Sequence, residues 1–217
     1  MSDLNHPADE TLALLAAGGL AHGPRLVVAS HVETCARCAR RVSAFEAVGG
    51  ALLEDLPPAA MPADGLARAL AALDLPAPAK GAAAPPARPE LPAGLALPSA
   101  LDDCDFGPWR WVAPGIRISR ARNAWARASG LKMYRLDPGR RLPRHGHMGT
   151  EWTCVLSGSF ADERARYVAG DIVEVDQHVD HQPVVDDDAP CFCLVAMDGR
   201  MRLNTFVGKL HQMIFDA

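Results

Sequence analysis

Residues 139–158, GRRLPRHGHMGTEWTCVLSG, decide how the larger part of this chain is read. Gly139 and Gly158 bracket His145, His147 and Glu151 in the spacing G-x5-H-x-H-x3-E-x6-G. Side chains on an extended strand alternate with a period of two, so these three share parity and point to one interior. Two imidazoles and a carboxylate on one face make most of a site for zinc, manganese, iron or nickel. A fourth ligand is expected from a later strand. His181, which opens the Val184-Val185 run after the turn Ala169-Gly170-Asp171, is preferred, and His178 is the second candidate.

Working outward, the same half of the chain is a series of short apolar runs: Trp109 to Val112, Ile116 to Ser119, Leu131 to Leu136, Glu151 to Leu156, Asp171 to Val175, Val184-Val185 and Cys191 to Met197. Pro114-Gly115, Asp137-Pro138-Gly139, Ser157-Gly158 and Ala169-Gly170-Asp171 break them at short intervals. That rhythm predicts an antiparallel β-barrel or double-sheet jelly roll over residues 99–217. Within it, Cys191 and Cys193 are spaced to aim both sulfurs to one side, and their redox role is open. Cys104 and Cys154 read as buried small groups, and Trp109, Trp111, Trp125 and Trp152 as barrel packing, with Trp152 a neighbour of the Glu151 site.

Upstream lies a change of composition. Residues 76–98 hold seven Pro and eight Ala in 23 positions, which favours an extended or mobile interdomain linker. Before it, residues 1–75 read as four short helices. Asp9 is placed to cap a first with Leu12, Leu15 and Ala16, and Gly18-Gly19 ends it. Pro24 sits near the start of a second with Leu26, Val27 and His31. The third runs from about Ala36 to Leu53, with Val42, Phe45, Val48, Leu52 and Leu53 on one stripe; the fourth, Asp64 to Leu73, carries Leu66, Leu70 and Leu73. So thin a set of large side chains calls for a staple. One is at hand in His31-x3-Cys35-x2-Cys38, three ligands along one helical face. Structural zinc takes four N or S ligands, so His6 is expected to complete the set, with His22 in reserve. A redox C-x-x-C is the weaker rival, because no βαβ pattern precedes it.

Charge divides along the same line. Residues 1–75 carry five Lys+Arg and nine Asp+Glu, while the remainder carries 17 of each, so the whole net charge of −4 belongs to the helical part. The balance argues against direct nucleic acid binding and favours a basic protein surface as partner. No apolar stretch is long enough for a membrane span and no export signal is evident at the N-terminus, so the expected location is cytoplasmic and six Cys read as thiols or metal ligands.

His6 together with His31-Val-Glu-Thr-Cys35-Ala-Arg-Cys38, on an acidic helical module followed by a linker, resembles a zinc-binding anti-sigma domain. Leu26-Val-Val-Ala-Ser-His31 and Ala47-Val-Gly-Gly-Ala-Leu are similar to the ChrR family of anti-sigma factors. The Gly139 to Gly158 pattern resembles the cupin signature, and a cupin behind such a module is that family's architecture. The resemblance implies a multidomain α plus β chain: a zinc-binding anti-sigma bundle (1–75), a Pro/Ala-rich linker (76–98) and a metal-binding cupin (99–217). It implies zinc at His6, His31, Cys35 and Cys38, and zinc or another divalent metal at His145, His147, Glu151 and His181. It also implies no catalysis. The helical half would sequester an extracytoplasmic-function (group IV) sigma factor and release it on singlet oxygen or related oxidative stress. The rival classes are a cupin metalloenzyme such as a dioxygenase and a metal-buffering protein, neither of which needs an acidic helical module with its own metal. With the linker between them, the two halves are expected to share no obligatory core.

Overall fold

The computed structural model describes residues 5–75, 86–123 and 130–203. Four helices come first: α1 (Asp9–Ala16), α2 (His22–Thr34), α3 (Ala36–Glu54) and α4 (Gly65–Leu73). Gly18-Gly19 and Pro57-Pro58 follow α1 and α3 as expected, Gly18 taking a left-handed φ of 68°, whereas α2 ends at Cys35. One detail differs. Asp9 is the first helical residue rather than the cap, and its carboxylate pairs with Arg41 on α3. The start of α1 is held instead by Glu174, whose oxygens accept from Ala8 N at 3.1 Å and Thr11 Oγ1 at 2.8 Å.

After a short 3-10 turn at Ser99–Leu101 come eleven strands among the described residues. They are β1 (Arg110–Ala113), β2 (Ile116–Arg120), β3 (Lys132–Leu136), β4 (His145–His147), β5 (Glu151–Ser157), β6 (Ser159–Ala161), β7 (Arg166–Val168), β8 (Ile172–Val175), β9 (Val184–Val185), β10 (Cys191–Met197) and β11 (Met201–Leu203). The main sheet has the order β1-β2-β3-β10-β5-β8, and smaller sheets pair β11 with β4 and β7-β6-β9. All pairings are antiparallel. Strands β4, β6, β7 and β11 are only three residues each, too short to leave an alternating pattern in the sequence.

Strands β5, β8 and β10 of the main sheet are buried on both faces. Val155, Val173, Val175, Cys191 and Cys193 turn inward to one core, with Phe160, Tyr167 and Val185 from the smaller sheet. The alternate residues Met133, Trp152, Cys154, Ile172, Leu194 and Ala196 turn outward and pack in one cluster with Leu12, Leu26, Val27, Val28 and Val42 of the helices. Helix α2 lies on β5 and β10, which accounts for its burial on several sides. Each fully buried Leu or Val there adds about 1.5–3 kcal/mol. Polar contacts reinforce the seam: Glu33 on α2 accepts from Ser99 N at 2.8 Å and Ala100 N at 2.6 Å. The expectation that the halves share no core is therefore overturned. An apolar outer face on β5 and β10 has to be covered, and the helices cover it.

The linker reading also changes at its end. Residues 76–85 lie outside the described residues, but Pro89 is buried and Leu91 and Leu97 pack against the shared cluster. Ala87 N donates to Asp105 and Trp109 Nε1 to Glu90 O, so residues 86–98 are strapped to the β half rather than loose. Of the tryptophans, Trp109 packs edge-on to Phe192, Trp111 is 55% exposed beneath the Arg117 guanidinium, and Trp152 faces the helices rather than the Glu151 site. Trp125 lies outside the described residues. Finally, the stripe on α3 is buried only at Val42 and partly at Phe45, while Val48, Leu52 and Leu53 are exposed. Helix α4 buries none of its residues and shows Leu66, Leu70 and Leu73 to solvent.

Candidate metal centres

The first group forms where the N-terminal segment meets the α2–α3 corner. His31 stands one turn before the end of α2, Cys35 at the break and Cys38 in the first turn of α3, so the spacing read on a helix wraps round a corner. His6 comes in from the segment before α1. Its Nδ1 lies 3.5 Å from Cys35 Sγ and 3.4 Å from Cys38 Sγ, and His31 Nε2 is 3.3 Å from Cys38 Sγ. All four donor atoms lie within 4.8 Å of one another. A tetrahedral zinc with bonds of about 2.0–2.3 Å separates its ligands by about 3.3–3.8 Å, so the donors are spaced for one ion. The charges agree. Burial, then the neighbouring Cys35, pushes the Cys38 thiol up to about 12, and only a cation makes paired thiolates tenable at neutral pH. Burial lowers the His31 value, keeping it neutral; Nδ1 donates to Gly170 O at 2.7 Å, leaving the Nε2 lone pair for the group. His22 is not among these residues and lies beside Arg25.

The second group lies inside the β half: His145, His147, Glu151 and His181 are all buried with donors within 4.8 Å of one another. They do not sit on one extended strand. His145 and His147 belong to β4, the chain turns, and Glu151 opens β5 in the other sheet; His181 faces His145 through an isolated bridge. The turn is locked to the 198–200 turn, Met148 N donating to Arg200 O and Asp198 N to Thr150 O, each at 2.8 Å. At Gly149 a Cβ would stand 1.6 Å from Asp198 O, so glycine is obligatory between the two halves of the set. Gly158 is constrained as well, with φ 74° and a would-be Cβ 2.5 Å from Pro190 O.

Hydrogen bonding tests whether a cation fits. His145 Nδ1 donates to Pro143 O at 2.8 Å, and His181 Nδ1 to Asp162 Oδ2 at 3.1 Å. Both Nε2 atoms then turn lone pairs toward each other at 3.1 Å. Burial lowers the His145 value, so that ring is neutral. His147 Nε2 is 3.4 Å from Glu151 Oε2 without hydrogen-bond geometry, and neither of its ring nitrogens has a hydrogen-bond partner among the described residues. Burial alone would raise the Glu151 value; His147 and the other imidazoles hold it below the usual range. Facing lone pairs, an orphaned buried imidazole and an ionised buried carboxylate are reconciled by a divalent cation at their centre.

Asp162 completes this arrangement, and no signal in the sequence marks it. It sits in the β6–β7 turn, caps Arg164 N and Ala165 N, and fixes the tautomer of His181 as a carboxylate behind a metal-ligating histidine does. Burial opposes its ionisation, but His181 and the two backbone amides bring it down to about 2. The stability it adds is thus present above its ordinary value of 3.8 and lost as the pH falls through about 2. Asp162→Ala should weaken metal binding at this group by about 10- to 100-fold while the thiolate group keeps its metal, which stoichiometric chelator titration measures.

Cys191 and Cys193 do point to the same side, with sulfurs 3.4 Å apart. The hydrogen bond to Cys191, then burial, pushes the Cys193 thiol well above its ordinary value. Cys193 lines a cavity of about 50 Å³ with His145, Glu151, Thr153 and His181. Cys104 and Cys154 are buried thiols, pushed by burial to about 11 and about 12.

Comparison with known proteins follows the same lines. The family model described as the ChrR cupin-like domain matches residues 99–199. Over 224 residues, spanning 99% of each chain, the protein is 38% identical to the anti-sigma-E factor ChrR of Cereibacter sphaeroides. The chain belongs to the ChrR family of anti-sigma factors. A solved structure of Rhodobacter sphaeroides SigE in complex with the anti-sigma ChrR is similar as well, at 32% identity and a TM-score of 0.72, covering 89% of this chain and 98% of that one. An RmlC-like cupin from Ralstonia eutropha is 15% identical over 48% of this chain and 69% of its own, with a TM-score of 0.39. ChrR membership bears out the family and the order of helices before a cupin-like sheet that the sequence suggested, and sets the chain among regulators rather than enzymes. No helix among the described residues is long and apolar enough to cross a membrane.

Proposed function

We propose that this protein sequesters an extracytoplasmic-function (group IV) sigma factor through its N-terminal helices and releases it in response to singlet oxygen or related oxidants, in the cytoplasm and without touching nucleic acid or membrane itself. The division into module (1–75), linker (76–98) and cupin (99–217) belongs to this reading. So does zinc at His6, His31, Cys35 and Cys38, with zinc or another divalent metal at His145, His147, Glu151 and His181. One observation carries it: Val48, Leu52 and Leu53 on α3 and Leu66, Leu70 and Leu73 on α4 are each more than half exposed. Apolar exposure on that scale marks a protein-binding surface, and it lies on the acidic half of the chain. The likeness to a ChrR solved with its SigE supports the class of partner.

The dioxygenase alternative has a suitable ligand set, but a cavity of about 50 Å³ beside it leaves room for a few waters rather than an organic substrate.

The test is direct binding of the full chain to its sigma factor. A Leu52→Asp, Leu70→Asp double variant should bind at least about 100-fold more weakly, since two interface anchors at about 2 kcal/mol each are lost. Metal content and far-UV circular dichroism should not change, because both side chains are solvent-exposed. An unchanged affinity would remove this surface from the partner's footprint.

A further inference from the structure

The thiolate group draws its ligands from the helical half, yet much of what holds two of them in place comes from the cupin half. Gly170 O accepts from His31 Nδ1 at 2.7 Å and so sets both the tautomer and the plane of that ring. The next residue, Asp171, is 2% exposed and grips Asn5, the neighbour of His6. Asp171 Oδ1 accepts from Asn5 N at 2.9 Å, and Oδ2 accepts from Asn5 Nδ2 at 3.0 Å and from Val168 N at 2.9 Å. Ile172 N donates to Asn5 O at 3.3 Å, so residue 5 is bound through main chain and side chain together. Three residues on, Glu174 holds Ala8 N and Thr11 Oγ1. His6 thus lies between two cupin anchors, at residues 5 and 8.

We infer that Asp171 and Glu174 are positioning residues for the thiolate metal group, which makes that group a joint product of the two halves. The physical reason is preorganisation. His6 belongs to the segment before α1, and without these anchors the backbone freedom of that segment must be given up at the moment of binding. Strand β8, which carries Glu174 and begins one residue after Asp171, is also the neighbour of the second metal group: Val175 pairs with Glu151, and Glu174 with Trp152. One four-residue strand therefore touches the surroundings of both groups. The inference rests on the metal reading above and adds to it a dependence of one half's metal on the other half's side chains.

Cobalt(II) separates the two groups in the intact chain, because only the thiolate group gives a sulfur-to-cobalt charge-transfer band in the near ultraviolet. Asp171→Ala should lower cobalt affinity read at that band by about 10- to 100-fold, with the second cobalt still bound in the thiolate-free group. Glu174→Gln, which retains one acceptor, should give a smaller loss in the same direction. Asn5→Asp sets a second carboxylate against Asp171 from the helical side and should reproduce the loss without altering the cupin sequence; adding Asp171→Asn should recover part of it. Affinity at the thiolate band within twofold of wild type in both Asp171→Ala and Asn5→Asp would overturn the positioning role alone. Absence of the band in wild type would instead overturn the metal reading and this inference with it.

Discussion

Exchanging Cys38 for serine is expected to strip the metal from the helical half and, with it, the grip on the sigma factor. Cys38 is the donor in contact with both imidazoles, His6 at 3.4 Å and His31 at 3.3 Å, and it is 1% exposed. A serine there offers a poor ligand, and no fifth candidate ligand joins the group among the described residues. Structural zinc contributes about 10–16 kcal/mol of apparent binding energy to folding in zinc-finger peptides, a term as large as the burial of the few apolar side chains of these helices. Cys35→Ser should act in the same direction. Native mass spectrometry should find the thiolate group's metal missing, and sigma binding should fall by at least about 100-fold. Either variant keeping full metal content and full repression would remove the cysteines from the ligand set.

The second large effect is on signalling. Full-chain variants His147→Ala and Glu151→Ala should lose the response to singlet oxygen while binding the sigma factor within a few fold of wild type. His147 has no hydrogen-bond partner for either ring nitrogen among the described residues and Glu151 is a buried carboxylate, so a cation accounts for both, and both lie inside the β half away from the exposed leucines of α3 and α4. Metal analysis of the variants and reporter induction under photosensitised oxidation provide the measurement. Wild-type induction in a variant whose barrel holds no metal would rule the cupin out as the sensor.

Much of this was legible because the informative residues are close in sequence. The string from His31 to Cys38 and the run from Gly139 to Gly158 each declare most of one group, and Gly18-Gly19 and Pro57-Pro58 mark where α1 and α3 stop. Parity on one strand grouped His145, His147 and Glu151, but they lie on two strands, and a locked turn between two sheets is what brings them together. Asp162 stayed hidden because a turn aspartate that caps its own loop looks the same whether or not a histidine stands behind it. The union of the two halves was hidden for a different reason: the Pro/Ala-rich stretch suggested separation. Yet the sequence did hold the contrary signal. Trp152, Cys154, Leu194 and Ala196 are apolar at the positions that alternate with the inward ones on β5 and β10, and such strands need cover on both faces. Which element supplies that cover is a matter of long-range packing.

The bare leucines of α3 and α4 bear on how the cell must make this protein. A patch that binds one partner will also bind itself or any other greasy surface when that partner is scarce. If that partner is the proposed sigma factor, synthesis in step with it would be a colloidal requirement as much as a regulatory one, and each release would leave behind a chain whose least protected surface faces the proteases and chaperones.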